Sequence, residues 1–176
     1  MDNIIDMKNK GLTIIAGELM SGKTTKILDI LNNAVKQNIP TMLVSLELPK
    51  EQVLNLILAT NNVYIFDNRF LAYIDVIAES IRRLKSRLDI KLVLIDELTL
   101  LRTKECYMLG SADIKSIIIQ QLKALSDELD ITIIVTALTD FDRQQFNENP
   151  IEALDFFCKS EKVKDYVDKI VLLERN

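Results

Sequence analysis

Histidine and tryptophan are absent from this chain, and glycine, proline and cysteine are scarce, at four, three and two in 176 residues. Each shortage excludes something. Without histidine there is no imidazole base, and the commonest nitrogen ligand of transition metals is missing. Cys106 and Cys158 stand far apart without zinc-type spacing, and read as reduced thiols of a cytoplasmic protein. No apolar run approaches the ~20 residues of a membrane helix. The N-terminus, MDNIIDMKNK, is charged and has no signal-peptide core. There are no internal repeats and no low-complexity linker. The net charge is −4, without a basic tail or stripe. Contact with nucleic acid would therefore have to come from a local patch.

What is present is an ordinary globular composition, 48% hydrophobic and 27% charged, in a length that fits one domain with its own core. Apolar runs alternate with segments of helical period. Strands are expected at Leu12–Ala16, Thr41–Leu46, Val63–Phe66, Leu92–Ile95, Ile131–Ala137 and Lys169–Leu173. Between them, helices are expected over 23–36, from Pro49 to about Thr60, along the stripe Ile74, Ile77, Ala78, Ile81, Leu84 and Leu88, and over 112–129. A polar stretch, Gln144–Pro150, and a last helix precede the final strand. Continuous apolar strands between amphipathic helices predict an α/β fold, a mainly parallel sheet with helices on both faces.

Two of the four glycines fall in Gly17-Glu18-Leu19-Met20-Ser21-Gly22-Lys23-Thr24, which matches G-x-x-x-x-G-K-[ST]. It follows an apolar strand and opens an amphipathic helix. That is the context in which such a loop wraps phosphates with backbone N–H groups, aided by the helix dipole. Lys23 is the cation for the β- and γ-phosphates and Thr24 the hydroxyl for Mg²⁺. Gly17 through Thr24, with Thr25 behind them, form the expected nucleotide-binding set, and the cofactors are ATP and Mg²⁺.

Leu92-Val93-Leu94-Ile95-Asp96-Glu97 is an apolar strand ending in carboxylates. In a parallel sheet ligands bind at the carboxyl ends of strands, so Asp96 is expected to face the loop and help hold Mg²⁺. A water attacking the γ-phosphate needs a base, and a carboxylate serves without histidine. Glu97 and Glu47 both stand at strand ends, and sheet geometry leaves both open as the base.

Taken together in this order, these segments resemble the RecA-like ATPase domain of DnaB-type replicative DNA helicases, from about Gly11 to Arg175. Gly11-Leu12-Thr13-Ile14-Ile15-Ala16-Gly17 is similar to the family's strand into its phosphate loop. Ser45-Leu46-Glu47-Leu48 is similar to its S-L-E-M signature, and the resemblance implies that Glu47 is the catalytic base. Leu94-Ile95-Asp96 with Leu98-Thr99-Leu100 resembles I-D-Y-L-Q-L, with Glu97 in the tyrosine's place. Gln121-Leu122-Lys123-Ala124-Leu125 with Glu128-Leu129 is similar to the helix before the fifth strand. Ala137-Leu138-Thr139-Asp140-Phe141-Asp142-Arg143 aligns with A-L-S-Q-L-N-R. Ser160 through Arg175, with Asp168, resembles the approach to the last core strand. The implied organisation is a tail over 1–10 and a RecA-like P-loop ATPase domain over 11–176.

Two departures bear on activity. Asp140 stands where the family has a glutamine that senses the γ-phosphate; an amide donates a hydrogen bond to phosphate, whereas a carboxylate repels it. The sequence stops at Asn176, ahead of the family's hairpin that reaches a neighbour's nucleotide, so hydrolysis by the chain alone is expected to be slow. The expected partners are nucleotide, further copies of the chain, or a replicative helicase on which it docks. The candidate DNA loops, 101–112 and 143–153, offset Arg102, Lys104 and Arg143 with Glu105, Glu148 and Glu152. The cluster Arg82, Arg83, Lys85 and Arg87 reads as a solvated helix face. Charge thus gives DNA binding little support. A nucleotide-binding adaptor with little hydrolysis, and a small phosphotransferase, are the competing functions.

Overall fold

Neighbouring residues of the apolar runs go to opposite sides of one sheet. The computed structural model describes residues 10–104, 111–138 and 163–173. Six strands form the sheet: β1 (Gly11–Gly17), β2 (Thr41–Ser45), β3 (Val63–Phe66), β4 (Leu92–Asp96), β5 (Thr132–Leu138) and β6 (Lys169–Leu173). The order is β3-β2-β4-β5-β1-β6 and every pairing is parallel. Pleating separates successive side chains. Ile14, Val44, Ile95 and Ile133 pack on one face, and Ile15, Leu43, Leu94 and Ile134 on the other. This is why β1, β2 and β4 are buried along their whole length and read as unbroken apolar runs.

Among the described residues four α-helices cover the two faces: α1 (Lys23–Lys36), α2 (Lys50–Leu56), α3 (Ile74–Leu88) and α4 (Ser111–Leu129). α1 buries Ile27, Ile30, Leu31 and Ala34 with Val53 of α2 on one face. α3 and α4 bury Ile77, Ile81, Ile118 and Leu122 on the other. The expected α/β architecture therefore holds. None of the described helices is long and apolar enough to cross a membrane.

The chain ends its helices with few glycines. Asn38, Asp89 and Asp130, all at positive φ of 48–56°, follow α1, α3 and α4. Short polar side chains tolerate the left-handed region better than others. After α1 the Ile39 N–H donates to the Ala34 carbonyl at 2.9 Å, which closes the last turn.

α2 is shorter than expected. It stops at Leu56 because Asn32 of α1 captures the chain there: its Nδ2 donates to the Leu56 carbonyl and its Oδ1 accepts from the Leu58 N–H. Pro49 precedes the first turn as its cap residue. Of the expected last helix, the described residues hold one 3₁₀ turn, Val163–Tyr166. The tail before Lys10, both cysteines, Asp140 and the segment 143–153 lie outside the described residues.

Asp168 ties three elements together. Its Oδ2 accepts the Leu12 N–H at 2.7 Å, its own N–H donates to the Leu12 carbonyl, and Lys123 of α4 donates to both carboxylate oxygens. Gly11, at φ +143°, leaves room for it: a Cβ there would lie 2.3 Å from Asp168 Oδ2. Gly11→Ala should cost about 1–3 kcal/mol in urea unfolding. Combining it with Asp168→Ala should cost less than the sum of the two single changes, because the clash disappears. Additive costs would show that the clash is not what Gly11 avoids.

Candidate functional site

A parallel sheet delivers every strand's carboxyl end to one edge, and the residues singled out above gather there. β1 ends at Gly17 and the chain turns through 18–22 into α1. Met20 (φ 65°) and Gly22 (φ 86°) carry the turn through the left-handed region, and the Ser21 N–H donates to the Glu18 carbonyl at 3.2 Å. A Cβ on Gly17 would lie 2.4 Å from Ser21 Oγ and 3.1 Å from the Leu173 carbonyl, so the loop and β6 close tightly on that position. α1 begins with no side-chain cap and no acidic residue in its first turn. Its leading N–H groups and positive dipole end are thus left without a side chain to neutralise them. Ser21 Oγ is buried and, among the described residues, has no partner.

Lys23 is 8% exposed. Its ammonium bends back over the loop and donates to the carbonyls of Gly17, at 3.0 Å, and Glu18, at 2.8 Å. Next to it, Thr24 Oγ1 donates to Glu47 Oε2 at 3.2 Å. Glu47 lies just beyond β2. The Leu46 N–H donates to the Asp96 carbonyl at 2.7 Å, which carries the pairing of β2 with β4 to the last residue before Glu47. Arg69, in the turn after β3, donates to the Glu47 carbonyl. The glutamate's backbone is thus fixed from both sides while its carboxylate stays exposed.

Asp96 and Glu97 are both 3% exposed, and the peptide between them is cis. They face different partners. Asp96 Oδ1 accepts from Thr136 Oγ1, on β5, at 2.6 Å. Glu97 accepts from the Thr99 hydroxyl and reaches the open space. Burial pushes the Glu97 carboxyl up from its ordinary range, Glu47 and Asp96 add to this, and Thr99 and Lys23 oppose it.

A cavity of about 380 Å³ joins these groups, lined by Leu19, Met20, Gly22, Lys23, Thr24, Thr25, Glu47, Glu97 and Leu138. Gly17 and Glu18 touch it only through the Lys23 ammonium they hold. Asp96 stands behind the wall, at the end of β4, and Glu97 forms the wall itself. Among the described residues no cluster of three or more His, Cys, Asp or Glu could hold a metal unaided.

Sequence reasoning missed two residues. Thr136 is a fully buried hydroxyl in an apolar strand, and its polarity in that run was the available signal. Arg69 follows the carboxyl end of β3, a place where parallel sheets gather functional groups. The basic residues resolve into paired and free ones. Lys104 pairs with Asp75, Arg82 with Glu128 and Lys85 with Asp89, whereas Arg83 and Arg87 have no carboxylate partner among the described residues.

Comparison with known proteins gives the chain its relatives. A solved structure described as the ATPase domain of G40P superposes with a TM-score of 0.74 at 20% identity, covering 94% of this chain and 70% of that one. A DnaB-like replicative helicase, described together with its interactions with primase, superposes with a TM-score of 0.71 at 19% identity. That match covers 94% of this chain but 47% of the helicase, so this chain spans about half its length. At these identities the likeness is one of fold. No curated protein matches. The family model of the DnaB-like helicase C-terminal domain matches residues 56–176, well over half of the sequence, and the chain belongs to that family.

Proposed function

We propose that residues 11–176 form one ATPase domain, behind the tail 1–10, that binds ATP with Mg²⁺ in the loop 17–24 and hydrolyses it slowly. It works as the motor module of a DnaB-like assembly in the cytoplasm, formed with further copies or on a replicative helicase. The observation that carries this reading is the convergence of Lys23, Thr24 and Glu47 around one cavity, with Thr24 Oγ1 3.2 Å from Glu47 Oε2. A lone ammonium in a glycine turn would need no carboxylate and hydroxyl beside it.

The donor set fits the cofactor. Mg²⁺ takes one or two carboxylates together with substrate phosphates and waters rather than an all-protein cage; Thr24 would offer a hydroxyl oxygen, and Asp96, behind the cavity wall, a carboxylate acting through a water. The uncapped start of α1 supplies backbone N–H donors for phosphate oxygens. Bound Mg²⁺ would neutralise charge on the phosphates. The remaining tasks fall to this chain's side chains. Lys23 offsets charge developing on the γ-phosphate. Glu47 accepts the proton of the attacking water. Thr136 holds the Asp96 carboxylate in one orientation, and Arg69 holds the backbone of Glu47. Glu97 is the competing base: it lines the same cavity, and burial raises its pKa, which favours accepting a proton. The adaptor reading, with binding and little turnover, rests on Asp140 at the sensor position.

Phosphate release from Mg²⁺–ATP, with and without single-stranded DNA, beside a binding titration, separates the readings. Turnover supports the ATPase, and tight binding without turnover supports the adaptor. Lys23→Ala should weaken nucleotide binding by about a hundredfold, as loss of a charge-assisted contact to phosphate implies. Unchanged affinity in calorimetry would remove the loop from the site. Glu47→Gln should keep nucleotide affinity and lower turnover by about a hundredfold or more. Loss on Glu97→Gln instead would transfer the base role to Glu97. Thr136→Val should raise the Mg²⁺ concentration needed for half-maximal turnover by about tenfold, with rescue by Thr136→Ser. An unchanged Mg²⁺ dependence would leave Thr136 a packing residue only.

A further inference from the structure

β3 ends the sheet, and β2 is its only strand partner among the described residues. Its sequence, Val63-Tyr64-Ile65-Phe66, is apolar throughout, yet all four residues are only half-buried. The register fixes which backbone groups are in use. The Thr41 N–H donates to the Asn62 carbonyl at 2.8 Å, so residues 62, 64 and 66 turn their peptide groups toward β2. The alternate residues turn outward. The Val63 N–H is taken by the Thr60 carbonyl, which leaves the Val63 carbonyl and both peptide groups of Ile65 facing away from the sheet.

Around this edge lies a cleft of about 740 Å³, lined from one face by Ser80, Arg83, Leu84 and Arg87 of α3 and from the other by Lys50 and Leu54 of α2. The Lys50 ammonium, like the Arg83 and Arg87 guanidinium groups, has no carboxylate partner among the described residues, although the Lys50 backbone N–H donates to the Asp67 carboxylate at 2.9 Å. In a molecule of net charge −4, three such cations around an unpaired apolar edge are notable. Arg83 and Arg87 are one helical turn apart, about 6 Å between their Cβ atoms. Alternate side chains of a strand lie about 6.6 Å apart on one face.

We propose that β3 is a docking edge for an extended acidic peptide segment of a partner protein. The segment adds as a seventh strand, takes the free backbone groups of Val63 and Ile65, and sets carboxylates at alternate positions against Arg83 and Arg87. Cations on an edge strand also serve as simple guards against aggregation, and the two roles differ in one respect: a guard has no preference for a matching strand. A nucleic acid would be drawn by the same cations but has no use for the Ile65 peptide groups.

The test uses the whole chain and a fluorescein-labelled peptide of alternating Glu and Val, with the Lys/Val peptide and a thymidine oligonucleotide as controls. The Glu/Val peptide is expected to bind in a salt-dependent manner and to slow amide exchange at Ile65. Arg83→Glu with Arg87→Glu should weaken it about tenfold or more. Ile65→Pro should abolish it, since proline removes an outward N–H that the β2 ladder does not use. Equal binding of the Lys/Val peptide, indifference to the arginine reversals, or no change in Ile65 exchange in the unaltered protein would overturn the proposal. So would oligonucleotide binding that displaces the peptide and survives Ile65→Pro. The exchange measurement stands even where the proline variant fails to fold.

Discussion

β5 lies between the strand that feeds the glycine loop 17–22 and the strand that ends in Asp96, and the candidate site depends on that insertion. Adjacent strands sit about 4.8 Å apart, so one intervening strand opens roughly 10 Å between the ends of β1 and β4. Pairing β1 directly with β4 would press Lys23 toward Asp96, and the two would form a buried ion pair with no space for a ligand. Instead β5 fills the gap and gives it a floor. Its Thr136 hydroxyl takes up the Asp96 carboxylate, and its last residue, Leu138, reaches the cavity wall. Because all the strands are parallel, the same arrangement brings Glu47 and Arg69 to that edge from β2 and β3.

The charges kept there are expensive. Lys23, Asp96 and Glu97 are nearly removed from water, and burying an ion without compensation costs several kcal/mol. Lys23 is compensated by two carbonyls and Asp96 by one hydroxyl. Glu97 is the least settled: burial and two other carboxylates raise its pKa, and the Thr99 hydroxyl and the Lys23 charge offset them only in part. A hydrophobic residue at that strand end would serve the fold better. Groups held against the interest of stability cluster where a protein acts on a ligand. The exposed ion pairs on α3 and α4 are of another kind, worth about 1 kcal/mol or less each.

The fold was legible because its signals are local. Apolar runs, helical stripes and the punctuation of Pro40 and Pro49 follow from side chains that act within a few residues. β3 and β6 were located to the residue, and α1 matched its expected span. What escaped was set by distant partners. Asn32 ends α2 from another helix, and no periodicity in 49–60 records it. Thr136 matters because β5 lies beside β4, an order that single strands do not encode. Asp96 was expected to face the loop. The structure gives the cavity wall to Glu97, one residue on, because Thr136 engages Asp96 at the end of β4. The edge of β3 was illegible for the same reason: a run of Val, Tyr, Ile and Phe looks like a central strand until its neighbours are known.

The family relationship and the glycine-loop motif rest on different parts of the chain. The family match covers 56–176 and leaves out Gly17 through Thr24 and Glu47. The loop motif covers 17–24 and occurs in many families. Neither implies the other. The sheet register joins them physically. Gly17 is paired with Leu138 and Leu173, and Ser45 with Asp96, so the ends of the matched strands β4, β5 and β6 set the positions of the loop and of Glu47. A shift of one residue in either pairing would turn every side chain of the moved strand to the other face and mismatch side-chain shapes in both cores. The position of this loop and of Glu47 in the chain is therefore a consequence of core packing, and the fold is shared at about 20% identity because packing constrains apolar character and volume rather than particular residues.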